Sequence, residues 1–138
     1  MNSFQVRILR SDGIFYEGPC ESLTIPASDG MVGIWAGHAN MISAVVTGTL
    51  SYRLPGEETE YAAVSEGMIK VEDGEVLLLC QTIERPEEID ERRVEARQAR
   101  AREALLQKRS IREYRLAQLE LARTANRLKV YRRYGMDQ

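Results

Sequence analysis

Between Glu87 and Arg133 the chain contains no glycine and no proline, while the first 86 residues hold nine of its ten glycines and all four prolines. Those two residues interrupt regular structure most strongly. A long stretch without them, rich in Ala, Leu, Glu, Gln and Arg, favours helix. The segment before it is broken every few residues and favours short elements. The chain therefore reads as two objects of different kinds, joined near Glu84-Arg85-Pro86. Charge divides the same way. Up to Arg85 there are 5 Lys/Arg against 12 Asp/Glu, a net −7, and from Pro86 onward 14 against 9, a net +5. Such an asymmetry points to two units with different partners.

The first unit, residues 1–85, has the period of β-structure. Phe4-Gln5-Val6-Arg7-Ile8-Leu9-Arg10 alternates apolar and polar, as a half-buried strand does. Further short strands are expected over Ile14–Gly18, Glu21–Pro26, Ser43–Thr47, Thr49–Leu54, Glu60–Val64, Met68–Val71 and Glu75–Thr82. Asp73-Gly74 is the strongest two-residue hairpin signal in the chain. Many short strands between turn residues predict an all-β sandwich or barrel.

The second unit, residues 86–138, predicts an antiparallel pair of helices. Pro86 suits a first helical turn, with Glu87, Glu88, Asp90 and Glu91 at the positive end of the helix dipole. A break is expected near Gln107-Lys108-Arg109-Ser110, where Ser110 and Glu113 have capping-box spacing. Tyr114, Ala117, Leu121, Ala125 and Leu128 form one apolar stripe at helical spacing. The fold class is thus α+β, a sandwich followed by a helical hairpin. The hairpin is thin in large apolar residues, at ~0.8 kcal/mol per buried methylene, so it should dock weakly and be able to leave. Gly135 to Gln138 is expected to fray.

Cys20 and Cys80 are too few for a disulfide framework and read as small buried hydrophobes. One histidine and two cysteines make a zinc site very unlikely, and no metal is called for. The start of the chain is not a signal peptide. The longest apolar run, Val76–Cys80, is far short of the ~20 residues of a membrane helix. A soluble, cytosolic protein with no direct membrane insertion is expected, free to sit on a membrane complex through protein contacts.

The sequence Gly30-Met31-Val32-Gly33-Ile34-Trp35-Ala36-Gly37-His38 carries the only tryptophan and the only histidine. Three glycines so close together imply a backbone path that most side chains would forbid. His38 is the one candidate for acid/base work, but no orienting partner and nucleophile accompany it, so a buried or interface histidine is favoured. Trp35 is either core or an interface anchor. This run, continuing into Thr47-Gly48-Thr49-Leu50, resembles the epsilon-subunit family of bacterial F-type rotary ATP synthases, and the resemblance extends over the whole chain.

That resemblance implies a sandwich of about ten short strands and a C-terminal hairpin. It implies a non-catalytic place on the central stalk, between the gamma subunit and the ring of c subunits, peripheral on the cytoplasmic face of the bacterial membrane. Ser28, Asp29, Gly30, Met31, Val32, Trp35 and His38 would meet gamma and the c ring. The family's hairpin lies on the sandwich when compact and, when extended, inserts along gamma and blocks hydrolysis. Lys108, Arg109, Arg112 and Arg115 near the hairpin turn would then meet acidic loops of the alpha and beta subunits. Some members also bind ATP between the two helices through an Ile/Leu-Asp-x-x-Arg-Ala motif. Here it reads Ile89-Asp90-Glu91-Arg92-Arg93-Val94, with Val94 in place of alanine, and Glu84, Arg100, Arg123 and Arg127 match the rest of the pattern.

Independently of any family, Arg123 and Arg127 stand four apart and share a helix face. With Arg93 and Arg100 on the facing helix they would make a triphosphate clamp. The alternative is an arginine-rich solvated face, or one that meets acidic protein loops. Two other classes compete for the whole chain. A β-sandwich carbohydrate or adaptor module with a coiled-coil tail would self-associate through its helices. A nucleic-acid binder is disfavoured, because the basic tail is mixed with nine acids and offers no stacking platform.

Overall fold

In β1, Phe4–Arg10, the side chains of Phe4, Val6 and Ile8 are buried and those of Gln5 and Arg7 are exposed. The same alternation recurs through the first unit of this computed structural model, which describes residues 2–107 and 110–135. Nine more strands follow: β2 Gly13–Cys20, β3 Ser22–Ala27, β4 Gly30–Trp35, β5 Met41–Val45, β6 Gly48–Arg53, β7 Glu60–Val64, β8 Gly67–Glu72, β9 Glu75–Cys80 and β10 Ile83–Glu84. They form two five-stranded sheets, in the orders β2-β1-β9-β8-β5 and β10-β7-β6-β3-β4. All pairings are antiparallel except β1 with β9. The expected sandwich is the observed one.

Its core is aliphatic. Ile8, Leu23, Ile25, Ile34, Leu50, Ile69 and Leu78 are fully enclosed. Phe15 of one sheet meets Tyr52 of the other edge to face, with ring centroids 6.0 Å apart. Cys20 and Cys80 belong to this interior as small apolar groups. Burial pushes the Cys80 thiol up to about 12, with the Glu66 charge adding to the effect. Burial likewise raises Cys20. Both therefore stay protonated near neutral pH and lack the thiolate that reactive cysteines need.

The Asp73-Gly74 turn joins β8 to β9 as its sequence predicts. Both residues have positive φ, 51° and 81°, which is the handedness that matches the strand twist. Pro26 lies within β3 rather than closing it. It is tolerated because β3 pairs with β6 only over Ser22–Thr24, so the ladder does not ask for the missing N–H.

The second unit, from Arg85 onward, is a helix pair. A 3₁₀ turn, Pro86–Glu88, comes first, then α1 at Glu91–Leu106, α2 at Ile111–Val130 and a π turn at Tyr131–Gly135. Two expectations need correction. Pro86 does not open the long helix. Glu88 closes the short turn by accepting the Arg85 N–H at 2.8 Å, and Asp90 restarts the helix as N-cap by accepting the Arg93 N–H at 3.3 Å. Two local caps thus outweigh continuity. The buried face of α2 is also rotated. Ala117, Thr124, Arg127 and Leu128 are buried and Leu121 is half-buried, whereas Tyr114 and Ala125 are exposed. Thr124 enters the seam because its hydroxyl donates to the Glu120 and Leu121 carbonyls at 2.8 and 3.1 Å, which removes the cost of burying it.

The Ser110 cap forms as expected, its hydroxyl oxygen accepting the Glu113 N–H at 3.0 Å. Lys108 and Arg109, predicted for the turn, lie outside the described residues, as do Met136, Asp137 and Gln138. Gly135, expected to fray, instead packs against Pro86 and Tyr131.

Candidate functional site

The glycine-rich run is an edge strand, not a strained loop. β4 pairs with β3 from Ser22↔Trp35 to Ala27↔Gly30 and, among the described residues, has no strand on its other side. Only Ile34 on it is fully buried, while Val32 is half-buried against the core. Of the three glycines, Gly30 and Gly37 have positive φ, 131° and 81°, at the turns before and after the strand. Gly33 has a different task. A Cβ there would come within 2.6 Å of the Trp35 ring, which lies over it on the strand's outer face. Trp35 is 59% exposed and Met31 57%, so Trp35 is not a core residue. Ser28, Asp29 and Gly30 are exposed at the turn leading into the strand.

His38 closes the far turn. Its N–H donates to the Trp35 carbonyl at 3.3 Å, and its Nδ1 sits 2.7 Å from the Ala39 carbonyl oxygen. The ring is held by its own loop and is half-exposed, so it is not a buried histidine. The result is an open strand edge carrying one indole, one thioether, one carboxylate and one imidazole. Large aromatics exposed beside an unpaired strand suit protein recognition rather than bond making.

In the helix pair the nucleotide-motif residues fall into different settings. Ile89 is buried and apolar, and Asp90 is occupied as the N-cap. Arg93 and Arg100 are exposed on α1, about 10 Å apart along the axis at 1.5 Å per residue. Arg123 is half-buried and Arg127 only 7% exposed on α2. Glu84 belongs to β10, in the first unit. Arg100 lines a groove of about 340 Å³ between the helices, floored by Ala101, Ala104 and Ala117 and flanked by Glu113 and Glu120. Arg100 thus shares that groove with two carboxylates, and Arg123 and Arg127 do not line it. Arg112 and Arg115, predicted for a protein interface, are exposed on α2.

Sequence reading missed the ion pairs that join the helices. Arg97 Nε donates to Glu120 at 2.8 Å. Arg132 spans to α1 twice, Nε to Glu91 and Nη2 to Glu95, each at 2.9 Å. The Glu91 hydrogen bond is the main cause of the raised Arg132 pKa. Glu91 and Glu95 are four apart, the spacing that puts two carboxylates on one face, and this was the available signal.

Comparison with known proteins agrees with both units. Residues 3–86 match the family described as ATP synthase, Delta/Epsilon chain, beta-sandwich domain, and residues 87–132 match its long alpha-helix domain. An ATP synthase epsilon chain of Ruminococcus albus is 38% identical over 131 residues, covering 94% of this chain and 97% of the relative. A structure of the Euglena gracilis mitochondrial ATP synthase, containing OSCP, F1 and c-ring, includes a chain with TM-score 0.77 at 21% identity, covering 90% of this chain and 78% of that one. The central stalk and c-ring structure of the Tetrahymena thermophila mitochondrial ATP synthase gives TM-score 0.63 at 13% identity, covering 92% and 95%. At those identities the structural likeness speaks for the fold. The matches to both halves, together with a 38% identical relative covered almost end to end, show that this chain belongs to the ATP synthase delta/epsilon chain family.

Proposed function

We propose that the chain is a non-catalytic subunit of the central stalk of an F-type ATP synthase, linking gamma to the c ring at the cytoplasmic face of a bacterial membrane. The observation that carries this reading is the open edge of β4. It presents Trp35 and Met31 beside the exposed Ser28-Asp29-Gly30 turn, with Val32 and His38 at its margins. No helix among the described residues is long and apolar enough to cross a membrane, so attachment through protein contacts fits. Replacing Trp35 by Ala should weaken binding to a purified gamma–c-ring complex about tenfold or more, the size of an interface hot spot. Because the indole is mostly exposed, the thermal midpoint should hardly move. Undiminished affinity would remove β4 from the interface.

The helix pair is the regulatory part of this reading. Extended, it would set Lys108, Arg109, Arg112 and Arg115 against acidic loops of the alpha and beta subunits and stop hydrolysis. Compact, it would be favoured by ATP held through Arg93, Arg100, Arg123 and Arg127, with Asp90 keeping its cap and Ile89 flanking. A ligand that prefers one of two states shifts the balance by its differential affinity alone. Calorimetric titration of the whole chain with ATP should give a binding heat. The Arg123→Ala variant should bind at least about tenfold more weakly, as expected for a lost charged hydrogen bond. Absence of any ATP heat would end the nucleotide reading and leave the docking reading intact.

A further inference from the structure

We propose that the two open ends of the helix pair form a latch, and that this latch rather than the helix seam sets how often the pair opens. The inference rests on the reading of the pair as a regulatory element, and it names the contacts that would govern it. α1 and α2 are consecutive in the chain, so opening means that the end of α2 far from Leu106 moves away from α1. The α2 helix is 20 residues long, so its free end sits about 30 Å from the joint.

The joined end is poorly sealed. Leu106, Ile111, Leu116 and Leu119 are exposed there, and the groove beside them has an alanine floor. The free end is closed in two ways. Arg132 forks onto Glu91 and Glu95 of the opposite helix, at 2.9 Å to each. The π turn that holds Arg132 also carries Gly135 over the 3₁₀ turn. A Cβ on Gly135 would lie 3.1 Å from both the Pro86 Cβ and the Pro86 carbonyl oxygen, and 2.8 Å from the Tyr131 ring. The chain thus enters and leaves the helix pair through two short turns that touch, and glycine is what allows the touch. A forked guanidinium adds direction to that contact, which a lone lysine would not.

Hydrogen exchange on the full chain tests this. Arg132→Gln should lower the protection of α2 amides about fivefold, the upper range for an exposed ion pair. Gly135→Val should lower it roughly tenfold or more, because the added atoms have no space. Sandwich amides and total helicity should stay as they were, and Arg102→Gln, at an exposed site on α1, should change nothing. Unchanged α2 protection in both variants would overturn the latch. In the assembled enzyme Arg132→Gln should also lower ATP hydrolysis by releasing the inhibitory form. Looser exchange without that drop would uphold the latch and overturn the regulatory reading on which it was built.

Discussion

Gly67→Ala lowers the thermal midpoint of the sandwich by about 10 °C or more. Gly67 begins β8 and stands opposite Cys80 in the ladder with β9. A Cβ at this position would overlap the Leu79 carbonyl oxygen and lie 2.7 Å from the Cys80 Cα. Both obstacles are backbone, so no rotamer change relieves them, and two strands inside the sheet must move apart. Overpacking of this kind costs roughly 1–3 kcal/mol, and each kcal/mol moves the midpoint of a domain this size by about 4–8 °C. Gly33→Ala makes a useful contrast. Its obstacle is the far edge of the exposed Trp35 ring, which can swing away, so that variant should lose far less. Calorimetry of the two variants side by side reads the difference. A Gly67→Ala midpoint within about 3 °C of the parent would mean that the close approach does not exist.

How much of this was legible in the sequence depends on the range of the forces involved. The period-2 alternation of Phe4 to Arg10 and the Asp73-Gly74 turn are local, and both gave the right element. Gly30–Trp35 does not read as a strand from its sequence, because two glycines break its alternation and only Ile34 is fully buried. Its pairing with β3 supplies what its own pattern lacks. The rotation of α2 was hidden by composition. Ala125 looks more apolar than Thr124, yet Thr124 is buried because its hydroxyl bonds back to its own helix. Arg93, Arg100, Arg123 and Arg127 stand out in the sequence, whereas the ion pairs that join the two helices do not. Arg97 and Arg132 find their carboxylates 23 and 37 to 41 residues away, and no local pattern specifies such partners. The edge carrying Trp35 and Met31 was found from its unusual residues, although whether the indole faced inward or outward was settled only by the fold.

Ending the chain at Glu88 should separate its two proposed roles. The first unit holds its own aliphatic core and both sheets, so it should fold and keep the β4 edge intact. The helix pair, with its alanine-rich seam and basic tip, would be gone. The most direct measurement is ATP hydrolysis by the reconstituted enzyme, carrying either the full chain or the chain ended at Glu88, with the bound amount of each quantified. The shortened chain should co-purify with gamma and the c ring at the level of the full chain, and hydrolysis should rise several-fold. A folded shortened chain that fails to co-purify, or one that binds fully and leaves hydrolysis unchanged, would contradict a sandwich that docks and a helix pair that restrains.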